Sequence, residues 1–152
     1  PKFSANRAVR EYTEKYYLPA ANKYKKRSSK KGMLGKKIVE TKLDLQNKWW
    51  KMRFVQAQIE NIAGGYQFKI MVWLNHISPD TISVELFAEG LNGGANEIIK
   101  MEIIGLAKNG LDHECHGCIG TSRPAGHYTA RIVPCYENIS VPLENNLILW
   151  QR

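Results

Sequence analysis

"YQFKIMVWL", residues 66–74, decides the fold. Counting by twos sends Tyr66, Phe68, Ile70, Val72 and Leu74 to one side and Gln67, Lys69, Met71 and Trp73 to the other, the alternation of a strand with one buried face. The same period recurs outward from it. "TISVELFA" turns Ile82, Val84 and Leu86 inward, "EIIKMEII" turns Ile99, Met101 and Ile103 inward, and "HYTARIVP" groups Tyr128, Ala130 and Ile132. With "RFVQAQIE", "LDHECHGCIG" and "NLILWQR" the expectation is about seven strands. Turn chemistry separates them: Gly64-Gly65, Ser78-Pro79-Asp80, Asn92-Gly93-Gly94, Asn109-Gly110 and Arg123-Pro124-Ala125-Gly126. No helical period lies between the strands, so parallel crossovers are excluded. The residues point to a mainly β chain, an immunoglobulin-like antiparallel β-sandwich over residues 53–152.

Upstream of Arg53 the period becomes helical. Ser4 is a good N-cap, and Ala8, Val9, Tyr12, Tyr16 and Tyr17 recur at three- and four-residue steps, predicting a helix over 5–18 that Pro19 ends. Its three tyrosines are more apolar area than a lone helix keeps in water, so it should dock on a surface. Leu34, Ile38, Thr41, Leu45, Trp49 and Met52 mark a second helix, 36–52, after Gly32 and Gly35. Between the helices, residues 23–35 form a basic linker, too polar to offset its own ordering entropy.

The chain has 152 residues and a formal net charge of +8, unevenly spread. Residues 1–53 hold sixteen Lys and Arg against four acids, whereas 54–152 hold six against ten. The basic character therefore belongs to the leader and not to the strands. A free-standing basic module gripping nucleic acid through residues 23–37 is the alternative reading, but no recognised nucleic-acid motif accompanies these lysines, and a solvated tether is preferred. Three cysteines are not the even framework of a small secreted domain, and no apolar run approaches a membrane span. The expectation is a cytoplasmic protein with no membrane partner. Its start at Pro1 suggests a fragment.

No catalytic constellation emerges. "DHECHGC" places His113, Cys115, His116 and Cys118 within six residues, but alternation on a strand sends the first two to one face and the last two to the other, so a converging metal site is not expected. "GLNGGANE" joins two strands and lacks the helix N-terminus of a phosphate cradle. Glu85 and Glu89 read as solvated-face residues. Trp73, Trp50 and Tyr66 are a candidate sugar-stacking surface, although packing of the helix is the commoner use of such residues.

The words of the sequence add a resemblance. "FSANRAVREYTEKYYLPAA" resembles the segment that closes the catalytic region of glycogen and α-glucan phosphorylases, and "RPAGHYTARIVP" with "VPLENNLILWQR" resembles the C-terminal region of the shorter bacterial and archaeal branch. It implies a parent enzyme that uses pyridoxal phosphate to cleave α-1,4-glucan with inorganic phosphate to glucose 1-phosphate. The cofactor lysine, phosphate loop and glucan cleft would lie upstream of the position matching Pro1, so no catalytic or cofactor-binding residue is carried over. Residues 1–22 would close the catalytic domain of the same polypeptide, and the sandwich would serve packing, contact in a homo-oligomer, or glucan binding. The 152 residues alone are expected to be inactive.

Overall fold

The computed structural model describes residues 5–152, so Ser4 lies outside the described residues. The chain divides into two compact units, residues 1–41 and 42–152.

The first unit is helical. Helix α1 spans Ala5–Tyr12, a π-helical turn spans Thr13–Tyr17, and α2 spans Leu18–Lys48, whose last residues belong to the second unit. The expectation that Pro19 ends the helix is therefore corrected. Proline normally clashes with the carbonyl four residues back and leaves it without a donor. Here the wider π turn comes just before it, and the Leu18 N–H donates to Thr13 O, five residues back. The interruption comes later. Ser29 is extended and Lys30, Lys31 and Gly32 are left-handed inside α2. Ser28 and Ser29 donate their hydroxyls to the carbonyls of Tyr24 and Lys26 at 2.9 and 2.8 Å, competing with the helical ladder just before the break. None of the described residues of this unit is buried. Val9, Tyr12, Tyr16, Tyr17 and Tyr24 are all exposed, and the Tyr12 and Tyr16 rings sit 5.6 Å apart.

The second unit holds two four-stranded antiparallel sheets. Its strands are β1 Arg53–Ile62, β2 Gly65–Trp73, β3 Ile82–Ala88, β4 Glu97–Lys100, β5 Glu102–Leu106, β6 His113–Gly120, β7 Thr129–Pro134 and β8 Leu149–Trp150. One sheet is ordered β1-β2-β6-β5 and the other β4-β3-β7-β8. The strand number expected from sequence is corrected from seven to eight, because "EIIKMEII" is not one strand. It breaks at Met101 into β4 and β5, which belong to different sheets. Met101 is buried and its N–H donates to Val84 O at 2.8 Å, so the chain changes sheets at a residue anchored in the core. With so much helix upstream, the protein is mixed α and β, and not mainly β.

The core joins both sheets. Phe68, Ile70, Val72 and Cys115 come from the first, and Val84, Leu86, Ala130 and Ile132 from the second. Leu45, Trp49 and Met52, from the end of α2 and the 3₁₀ turn Trp49–Lys51, join the same cluster. The Asn75 side-chain amide donates to Lys48 O at 3.1 Å, satisfying one of the carbonyls orphaned at the helix end. The sequence alternation survives in detail, since Phe68, Ile70, Val72 and Leu74 are all buried.

Candidate functional site

The residues expected to form a stacking surface do not converge. Tyr66 pairs with Asn61 at one end of the β1–β2 hairpin, whereas Trp73 pairs with Arg53 at the other. Seven positions of a pleated strand separate them, an odd number that puts their side chains on opposite faces, and Tyr66 packs against the core. Trp73 carries the Arg53 guanidinium over its ring at 4.3 Å, so one ring face already has a partner. Trp50, in the turn before β1, is 73% exposed.

Strand β6 separates the four residues that suggested a metal. Cys115 is fully buried and Cys118 is exposed. Burial, helped by the Glu114 charge, pushes the Cys115 thiol up to about 12. His116 Nε2 lies 2.6 Å from Glu114 Oε1 on the outward face. On the inward side, His113 Nδ1 is buried with no hydrogen-bond partner, and desolvation lowers the pKa of its ring. Among the described residues no group of three His, Cys, Asp or Glu side chains could hold a metal ion. The glycine loop between β3 and β4 forms a 3₁₀ turn, Leu91–Gly93, with the Gly90 N–H donating to Asn96 Oδ1 at 3.1 Å.

The most developed outward cluster lies elsewhere, on the second sheet. Cross-strand pairing sets Glu85 beside Arg131 and Arg131 beside Trp150, with Phe87 beside Thr129. Directly paired residues project to the same side, so these side chains share the face turned away from the core. Arg131 bonds Glu85 Oε2 at 2.9 Å, with both side chains largely buried, and its guanidinium lies 4.6 Å from the Phe87 ring centre and 5.5 Å from that of Trp150. Phe87 and Trp150 meet edge to face, 5.4 Å apart.

Two clefts flank this row. One, of about 500 Å³, runs from Ser83 and Glu85 past Arg131 to Tyr136, Ile139 and Pro142. The other, of about 420 Å³, is lined by Phe87, Glu89, Arg123, His127, Thr129 and Trp150. Arg123 is held for the second cleft by neighbours: its Nη1 lies 3.2 Å from Glu97 Oε1, and its Nε donates to His127 Nδ1 at 3.3 Å. The Tyr128 hydroxyl donates to Glu97 Oε2 at 2.6 Å. That bond above all holds the Glu97 carboxyl below its ordinary range; desolvation opposes it, and Arg123 adds to the lowering.

Sequence reading missed this cluster because no local signal joins its parts. Phe87 and Trp150 lie 63 positions apart and meet only through the β3-β7-β8 pairing. The available hint was aromatic or charged residues at the outward positions of "TISVELFA", "HYTARIVP" and "NLILWQR".

Comparison with known proteins now bears on what the chain resembles. Over 160 aligned positions it is 27% identical to the maltodextrin phosphorylase of Thermococcus litoralis. The likeness supports a phosphorylase-related region. The alignment takes in 99% of this chain but 19% of that protein, so the chain spans about a fifth of the length of its phosphorylase relative. No protein-family model matches the chain, and no solved structure matches it. Among the described residues no helix is long and apolar enough to cross a membrane.

Proposed function

We propose that this chain is the C-terminal accessory region of an α-glucan phosphorylase, contributing packing and glucan retention to a catalytic body encoded upstream. The observation that carries the proposal is the phosphorylase likeness along 99% of the chain. The helical unit agrees with it. An amphipathic helix with four exposed tyrosines and no buried residue needs a surface to cover it, and the upstream body would supply one. The sandwich itself is of immunoglobulin-like connectivity in this proposal. Lettering the strands A, B, C, C′, D, E, F and G gives sheets ABED and C′CFG, the division expected of that class with one added strand.

Pyridoxal phosphate, which the parent enzyme would use, is assigned no site on this chain in this proposal. The glycine loop links two strands through a 3₁₀ turn and presents no helix N-terminus to a phosphate. No catalytic step is assigned to this chain. Chemistry on glucan and phosphate would belong to the upstream body.

The coding sequence immediately upstream of the Pro1 codon tests the proposal. A long open frame encoding a phosphorylase body with its cofactor lysine is expected. An in-frame stop directly before a start codon at this position, or an unrelated upstream domain, overturns it. Purified alone, the chain should release no glucose 1-phosphate from maltodextrin and phosphate.

A further inference from the structure

We infer that the cleft between Phe87, Trp150 and Arg123 is a carbohydrate subsite that takes the apolar face of a glucosyl unit in an α-1,4-linked chain, a ligand class that rests on the phosphorylase reading above. Sugar recognition needs a fixed, partly exposed aromatic ring for the C–H face and groups around it for the hydroxyls. Trp150 supplies the ring. It is 40% exposed, yet its backbone is pinned by pairing with Arg131, and the next N–H, of Gln151, donates to Ala130 O at 2.9 Å. The edge-to-face contact with Phe87 and the nearby Arg131 guanidinium brace the ring.

The polar rim has the right mixture. A sugar hydroxyl both donates and accepts. Arg123 offers donors only, Glu89 acceptors only, Thr129 can do either, and His127, whose Nδ1 already accepts from Arg123, has its Nε2–H left to donate. The Arg123 side chain is only 8% exposed and is tied to Glu97 and His127, so it is oriented before any ligand arrives. The cleft, about 420 Å³, falls within the ordinary range for ligand sites. Neither Trp73 nor Trp50 lines this cleft.

The test is native electrophoresis of the 152-residue chain through glycogen-containing gels, with tryptophan fluorescence titrated by maltoheptaose. Wild type should be retarded by glycogen. Trp150→Ala should abolish retardation or weaken maltoheptaose binding about tenfold, the loss of one stacking contact, while Trp73→Ala migrates as wild type does. If Trp150→Ala loses its far-UV circular dichroism signature, the double change Glu89→Ala with His127→Ala on the exposed rim replaces it and should weaken binding at intact fold. Absence of wild-type retardation, retardation unchanged in Trp150→Ala, or unchanged binding in the folded rim variant overturns the subsite. The upstream coding sequence decides parentage separately, so failure here removes glucan retention and leaves the phosphorylase parentage standing.

Discussion

Cys115 shows how much a single position depends on which way its strand faces. Two of the three thiols, Cys118 and Cys135, are exposed, while Cys115 is buried as a member of the core cluster. A thiol held at about 12 carries almost no thiolate at pH 8, and the thiolate is the nucleophile. Native protein should therefore titrate two thiols with a disulfide reagent, and the third only in denaturant. Three fast thiols would contradict the inward placement of Cys115. The same shift has a pH consequence. The folded pKa lies above the ordinary 9.0, so the folded state keeps the proton that the unfolded chain loses. Stability from this site is complete below about pH 9 and falls as pH rises toward 12. Cys115→Ala should flatten the decline of Tm above pH 9, measured against wild type across that window. Alternation alone set Cys115 on the opposite face from Cys118 without saying which of the two faces the core. The partners of Trp73 and Trp150 were not legible, because a strand's period says which side a ring takes and not what lies across the sheet.

At the scale of elements, the strands were legible where one face meets the core. Phe68, Ile70 and Val72 are buried as their period requires, and so are Val84 with Leu86 and Ala130 with Ile132. What alternation could not reveal was the change of sheet inside "EIIKMEII", since Ile99, Met101 and Ile103 keep an inward period straight through it. Inwardness is shared by both sheets of a common core, so crossing from one to the other leaves no mark on the hydrophobic pattern. Pro19 misled for a different reason, because its cost was absorbed by an unusual turn before it. Met101 is the joint between β4 and β5, and Gly117 already lies close to it: a Cβ added there would meet Met101 Cγ at 3.1 Å. Met101→Ala should cost about 2–5 kcal/mol in urea unfolding, as expected for a large buried side chain removed from a packed core. A loss below about 1 kcal/mol would show the crossover to be loosely packed. Gly117→Ala should destabilise by about 1–3 kcal/mol by overpacking the same joint.

For the whole molecule, the division seen in charge along the sequence and the division seen in compactness fall close together without coinciding. Basic excess ends near residue 53, whereas the compact units part between Thr41 and Lys42. The offset has a physical source: the last turns of α2 are basic on one side, yet they deliver Leu45, and the 3₁₀ turn that follows them delivers Trp49, to the sandwich core. Charge marks the surface of a helix, and burial marks where it belongs. The weak point lies earlier, at Ser29–Gly32, where left-handed Lys30 and Lys31 are exposed and interrupt the helical ladder. Backbone that leaves its hydrogen-bonded ladder at an exposed position is where proteases enter first. Brief trypsin digestion should cut after Lys30 or Lys31 and leave a resistant fragment that starts between residues 31 and 42 and retains the β signal in far-UV circular dichroism. Mass spectrometry of the early products checks it. First cuts at Arg123 or Arg131 would mean that the sandwich opens more readily than the helix break, contrary to a core that takes in both sheets and the end of α2.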